Sequence, residues 1–123
     1  PALIDRIRKL RPDLRIMNHY GPTETTVGVL TYEVPNPWLG GTLPLGQPLR
    51  GTQITICDAA GRELPQGAVG EIRMAGATVA RGYWGQPELT AAYFVNDPVS
   101  GVRCYRSGGQ RNRSSQRLAL GNA

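Results

Sequence analysis

The sequence predicts a small α/β unit followed by a mostly antiparallel β-barrel-like subdomain. Three observations carry that expectation. An amphipathic helical pattern in the first ten residues leads into an alternating run, Leu14-Arg15-Ile16-Met17-Asn18. A second alternating run, residues 53–58, is joined by clusters of turn residues to a return strand at 69–75, as antiparallel neighbours are. Gly (16) and Pro (10) make up about a fifth of the 123 residues. That is below the roughly 25–30% of low-complexity chains but enough for many turns and short strands. A chain of this length buries one modest core.

Leu3, Ile4, Ile7 and Leu10 fall at helical spacing, with Asp5, Arg6, Arg8 and Lys9 on the solvated face. The Arg11-Pro12 step ends that helix. The strand at 14–18 enters Asn18-His19-Tyr20-Gly21-Pro22-Thr23-Glu24-Thr25-Thr26. Gly21 accepts positive φ and Pro22 lacks an amide hydrogen, so neither a helix nor a regular strand runs through the pair. Residues 26–34 are rich in β-branched side chains and read as a strand, which Pro35-Asn36-Pro37 breaks. Residues 38–48 form a Gly/Pro-punctuated loop. It lacks the Gly-Lys-Ser/Thr ending of a phosphate-binding P-loop, so a structural role is expected. After the strands at 53–58 and 69–75, Gly82 and Gly85 permit tight turns, Tyr83 and Trp84 are expected to cover the core, and Pro87 opens a helix carrying Leu89 and Phe94. Arg81 is expected to make a structural ion pair, with a phosphate contact as the alternative. Residues 102–108 are a last strand, and 109–123 read as an irregular basic tail.

The turn at 20–26 concentrates chemistry: an aromatic ring, a carboxylate and three hydroxyls at the end of a strand. Loops positioned by a rigid scaffold are where binding residues gather. The Tyr20 ring has a face for a planar base, Thr23 a hydroxyl for a phosphate, and Glu24 oxygens for a hard cation such as Mg2+. The bland alternative is a surface loop with Tyr20 packed on the core and Glu24 in water.

Asn18-His19-Tyr20-Gly21-Pro22-Thr23-Glu24 resembles the N-x-Y-G-P-T-E signature of nonribosomal peptide synthetase adenylation domains, within the adenylate-forming superfamily. A second stretch supports it in the expected order and spacing. Gly70-Glu71-Ile72 through Gly76, Val79-Ala80-Arg81-Gly82-Tyr83, Pro87-Glu88-Leu89-Thr90 and Phe94 resemble that family's G-E-L/I, V-A-R-G-Y and P-E-L-T-x-x-x-F elements. Pro22 and the V-A-R-G-Y form favour peptide synthetases over acyl-CoA ligases, which remain the alternative enzyme class. The family's P-L-G-x-P segment, here Pro44 to Pro48, leads into a small β-barrel.

The resemblance implies a fragment of the large core of an adenylate-forming enzyme, which uses ATP and Mg2+ to convert an amino acid into an aminoacyl-AMP. Asn18, Tyr20, Gly21 and Thr23 would bind the nucleotide, with Tyr20 stacking on adenine and Thr23 at the α-phosphate. Glu24 would ligate Mg2+, so Thr23 and Glu24 carry the catalytic assignment. His19, Val27 and Gly28 would line part of the amino-acid pocket. The expected partners are the amino-acid substrate, the remainder of the adenylation domain and a carrier-protein domain. The implied division is 1–34 for the helix–strand unit with the site loop, 35–108 for the barrel-like part with one short helix, and 109–123 for the tail. Past Tyr105-Arg106-Ser107-Gly108 the text departs: Gly109 stands where the family has an aspartate that holds the ribose. A reading-frame change near that codon, or an altered end of the expressed chain, would account for the switch, and sequencing the encoding DNA tests it. The phosphate loop, the amine-anchoring aspartate, the hinge and the C-terminal lysine of the family are missing. A fragment inactive by itself is therefore expected. The alternative from another class is a non-catalytic interaction fragment.

Charge and composition narrow the rest. The formal net charge of +5 is uneven, because residues 1–105 hold ten Lys+Arg and nine Asp+Glu. The excess lies in Arg106, Arg111, Arg113 and Arg117, a stretch with no aromatic for base stacking, which argues against a nucleic-acid partner. No apolar run approaches the ~20 residues of a membrane span and no secretory signal opens the chain, so no membrane partner and a cytoplasmic location are expected. Cys57 and Cys104 are then expected to be reduced.

Overall fold

The structure, a computed structural model, describes residues 2–108. The expectations for Gly109 and for the 109–123 tail lie outside the described residues. Helix α1 (Ala2–Leu10) carries Asp5 in its first turn and Arg8 and Lys9 in its last, each complementing the helix dipole. It buries Ile4, while Leu3 and Leu10 stay exposed. Arg8 donates to the Val34 carbonyl at 2.8 Å and ties the helix to the end of the first sheet.

That sheet has three strands in the order β1 (Met17–Tyr20), β2 (Leu30–Glu33) and β3 (Gln47–Pro48), all antiparallel. Met17 lies opposite Glu33 and Tyr20 opposite Leu30, and an exposed Arg15–Glu33 pair at 2.7 Å flanks the register. The strand that follows helix α1 therefore continues as an antiparallel meander. The nine residues between β1 and β2 are too few for the crossover a parallel neighbour requires. The second sheet runs β4 (Thr52–Cys57), β5 (Glu71–Gly76), β7 (Arg103–Arg106) and β6 (Phe94–Asn96), again antiparallel throughout. Helix α2 (Pro87–Tyr93) precedes β6. β4 and β6 are the sheet's outer strands, β4 bridged at its end by Cys57–Glu63, so the described residues form two open antiparallel sheets and not a closed barrel.

The core lies between the sheets. Ile54 and Ile56 of β4 face the same side as Met74 and Ile72 of β5, their register partners. Met74, Ile72, Leu30, Val29 and Leu45 form a buried cluster against which Tyr20, Ile54 and Ile56 pack. Cys57 and Cys104 are buried free thiols. Among the described residues no helix is long and apolar enough to cross a membrane.

Several sequence expectations need correction, the first being the strand expected over 14–18, which begins only at Met17 and runs to Tyr20. Helix α2 stops at Tyr93, and Phe94 is extended (φ −108, ψ 95) as the first residue of β6, where it packs on Tyr105. Trp84 does not cover the core with Tyr83 but is 99% exposed. The strand expected over 26–34 begins only at Leu30, because Thr26 and Val27 have φ of 64° and 62°, outside any strand geometry.

Candidate functional site

The loop between β1 and β2 is shaped by its own backbone. The Val29 amide donates to the Tyr20 carbonyl at 2.9 Å and closes the base. Pro22, extended at φ −69 and ψ 160, precedes a single 3-10 turn over Thr23–Thr25. The Thr25 and Val27 amides both donate to the Pro22 carbonyl, at 3.0 and 3.2 Å, which forces Thr26 and Val27 into the left-handed region. For a β-branched residue that conformation costs on the order of 1–3 kcal/mol. Gly21 is required because a Cβ there would lie 2.8 Å from the Val27 carbonyl carbon and 2.9 Å from the Gly28 amide nitrogen. Beneath the turn, fully buried Thr25 donates to the Pro22 carbonyl and lies 3.7 Å from the Met74 sulfur.

Along β1, Asn18 and Tyr20 share one face and exposed His19 takes the other. Asn18 Nδ2 donates to the Pro44 carbonyl at 2.8 Å. Tyr20 is half-buried on the core cluster. Thr23 and Val27 are exposed, Glu24 is half-buried, and Gly28 has open space where a side chain would stand. Gly21, Thr23, Glu24, Val27 and Gly28 thus share one loop, with Tyr20 at its base.

A second segment, residues 78–83, braces that loop. The Ala80 amide donates to the Glu24 carbonyl at 2.8 Å, and Thr26 Oγ1 donates to the Thr78 carbonyl at 3.0 Å. Tyr83 Oη donates to Glu24 Oε1 at 2.5 Å. Arg103 secures the brace from behind, donating to the Ala80 and Arg81 carbonyls at 2.7 and 2.6 Å while its guanidinium stacks over Phe94. Arg81, expected to make the structural ion pair, makes none among the described residues; its side chain is exposed. Sequence reasoning missed Tyr83 and Arg103 as site-supporting residues. For Tyr83 the signal was the Gly82-Tyr83 step inside the second motif. For Arg103, on a strand twenty residues away, there was none.

Electrostatics follow from this contact. The Tyr83 hydroxyl holds the Glu24 carboxyl below the ordinary glutamate range, against the opposing effect of partial burial. Burial, and then the bond to Glu24, push Tyr83 up; burial pushes Tyr105 well above the ordinary tyrosine range. A depressed carboxyl contributes stability that is full above its unfolded value of about 4.3 and is lost as pH falls through the lower folded value. The stability difference between the wild-type chain and Glu24→Gln should therefore shrink as pH is lowered from about 6 to about 3, read by urea unfolding. A difference that stays constant with pH would show that the carboxylate is not held in this way.

Glu24 supplies one hard carboxylate, and no group of three or more His, Cys, Asp or Glu side chains gathers to hold a metal among the described residues. Such a donor suits Mg2+, which is held through one or two carboxylates plus substrate phosphates, and does not suit an all-protein metal cage. A hollow of about 280 Å³ lies on the far face of the second sheet, lined by Gln53, Thr55, Glu63, Asp97 and Cys104 among others, away from the loop.

Comparison with known proteins shows what the chain is similar to. The model of the AMP-binding enzyme family matches residues 1–84. Malpinin synthetase of Mortierella alpina is 39% identical over 112 residues, covering 87% of this chain and 1% of the relative. Tyrocidine synthase 1 of Brevibacillus parabrevis is 40% identical over 104 residues, covering 83% of this chain and 10% of the relative. Among solved structures, the nonribosomal peptide synthetase FmoA3 superposes with a TM-score of 0.77 at 35% identity, over 86% of this chain and 12% of that one. PA1221, described as containing adenylation and PCP domains, gives a TM-score of 0.77 at 33% identity, over 85% of this chain and 19% of that one. The chain thus spans a small part of each. From the match over residues 1–84, the chain belongs to the AMP-binding enzyme family, and it is similar to a short segment of nonribosomal peptide synthetases.

Proposed function

We propose that this segment carries the nucleotide- and cation-facing loop of an adenylation domain that activates an amino acid as its aminoacyl-AMP. The observation that carries the reading is the loop itself. Glu24 is fixed in place on a strained turn, beside an exposed Thr23 and above a half-buried Tyr20. In the complete domain, the substrate carboxylate attacks the α-phosphorus of ATP and pyrophosphate leaves. Asn18, Tyr20, Gly21 and Thr23 would face the nucleotide, and His19, Val27 and Gly28 the amino-acid side chain. Mg2+, when bound, would neutralise phosphate charge, with Glu24 as its protein ligand. Such catalysis is chiefly positioning and charge stabilisation, so a preset carboxylate is the contribution expected here. A relative's structure is described as its AMPPNP-bound form, which supports ATP as the nucleotide. The adenylation-plus-PCP composition of PA1221 supports a carrier domain as the acceptor.

The finer architecture is part of the same reading. Residues 1–34 would join the α/β body of the parent and 35–108 its barrel-like subdomain, with the outer strands of the second sheet available for further pairing.

The 123-residue chain alone should give no amino-acid-dependent ATP–pyrophosphate exchange above a Glu24→Ala control. A chimera of tyrocidine synthase 1, in which residues 2–108 replace the matched segment, should exchange. Glu24→Ala in that chimera should reduce the rate by about 100-fold or more. A folded chimera that is inactive, or one indifferent to Glu24→Ala, would overturn the reading.

A further inference from the structure

We infer that Tyr83 is a positioning residue: its phenol sets the Glu24 carboxylate in the orientation from which that carboxylate receives a divalent cation. This rests on the reading of Glu24 as the cation ligand and adds to it the residue that prepares the ligand.

The argument begins with which partner is fixed. The Tyr83 amide donates to Thr90 Oγ1 at 2.9 Å, and its ring meets the edges of Phe94 and Tyr93 at 5.5 and 6.3 Å between centroids. Phe94 is itself sandwiched by Tyr105 at 5.3 Å and the Arg103 guanidinium at 4.8 Å. The φ of +145° at Gly82, with Thr90 occupying the space a Cβ would need, turns the chain so that Tyr83 enters this cluster. Its hydroxyl is thus a donor held at one point by packing on several sides. Glu24 is a flexible side chain on a three-residue turn, so the phenol orients the carboxylate and not the reverse.

The second observation is the kind of donor. Asp13, Glu33, Asp58 and Glu71 each pair with an arginine. Among the described residues Glu24 has no such cation; it is held by neutral phenols, Tyr83 foremost, with Tyr105 beside it as the lesser contributor. An arginine would cancel the charge a metal needs, whereas a tyrosine orients the carboxylate and leaves its negative charge in place. Residues that hydrogen-bond a metal-ligating carboxylate typically contribute roughly 10–100-fold to metal affinity by preorganising it.

The experiment uses the 123-residue chain with 13C-labelled glutamate and tyrosine, with Mn2+ alone as the probe. Two NMR readouts are taken: the chemical-shift separation of the Glu24 side-chain methylene protons, which reports a fixed rotamer, and paramagnetic broadening of the Glu24 carboxyl by Mn2+. In Tyr83→Phe, with the ring retained, the methylene shifts should collapse together and the Mn2+ concentration for half-broadening should rise about tenfold. Tyr93→Phe, in the same aromatic cluster, should change neither. A folded Tyr83→Phe chain with unchanged methylene separation overturns the inference. If Tyr83→Phe does not fold, Glu24→Gln tests the same bond from the other end, and an unmoved Tyr83 Cζ resonance overturns it. If Mn2+ fails to broaden Glu24 in the wild-type chain while the methylene collapse persists, the cation reading of Glu24 fails and the orienting bond stands.

Discussion

Gly46→Ala is expected to destroy the first sheet, with a loss on the order of 3–5 kcal/mol, enough to unfold a domain of this size. Gly46 is buried with φ +91°, a conformation L side chains rarely adopt. An added Cβ would be driven into the backbone carbonyl of Thr31 and would lie 2.7 Å from Tyr32 Cβ. Neither obstacle is the yielding end of a long side chain; both belong to the central strand β2, where Thr31 is paired on both sides and Tyr32 with β1. Relief would require displacing residues 44–48, which place β3, the Leu45 side chain in the core and the Pro44 carbonyl under Asn18. Gly41→Ala is the control, because nothing lies within 4 Å of its added carbon. Its urea midpoint should stay at the wild-type value, whereas Gly46→Ala should lack a cooperative transition. A normal transition for Gly46→Ala would show that the loop does not cross Thr31 in this way.

The second large effect is expected at Met74. Its side chain is fully buried among Val29, Leu30, Leu45 and Ile72, where β5 meets the first sheet. Truncation to alanine removes the side chain beyond Cβ from a packed interior and should cost about 2–5 kcal/mol. Met74→Leu keeps the volume and should cost less than about 1.5 kcal/mol. The location gives the substitution a second signature. The Met74 sulfur is the floor beneath Thr25, so Met74→Ala should also quicken amide exchange at the Thr25 and Val27 amides, both bonded to Pro22. If exchange there stays unchanged while global stability falls, the loop rests on its own hydrogen bonds and not on this floor.

How much of this was legible beforehand depends on how local each cause is. Helix α1 and the strands β4 and β5 announce themselves by periodicity, and Gly21-Pro22 by backbone restriction, all within a few residues. The late start of β2 was not legible. The β-branched side chains of Thr26 and Val27 favour strand, yet two amides converging on the Pro22 carbonyl decide their φ instead. β3 is two residues long and exists only because β2 lies beside it. Trp84 failed as a core residue because it stands in the turn that follows Tyr83 and projects into solvent. Within the site, residue types and order were readable from the motif. The partner of Glu24, fifty-nine positions away, was not, because nothing local to either residue requires the contact.

That separation also orders events during synthesis. The turn at 22–27 and the segment that braces it are more than fifty residues apart. A chain emerging from the ribosome at roughly 5–20 residues per second would expose the first motif several seconds before its brace exists. Until then, the left-handed Thr26 and Val27 have only their own short-range bonds to offset their conformational cost. The loop should therefore be among the last parts of this segment to become native, in a chain whose hairpins have already paired. Mutations in residues 78–83 would then act on the loop through folding order as well as through final geometry, and would surface as slow maturation of an otherwise folded protein.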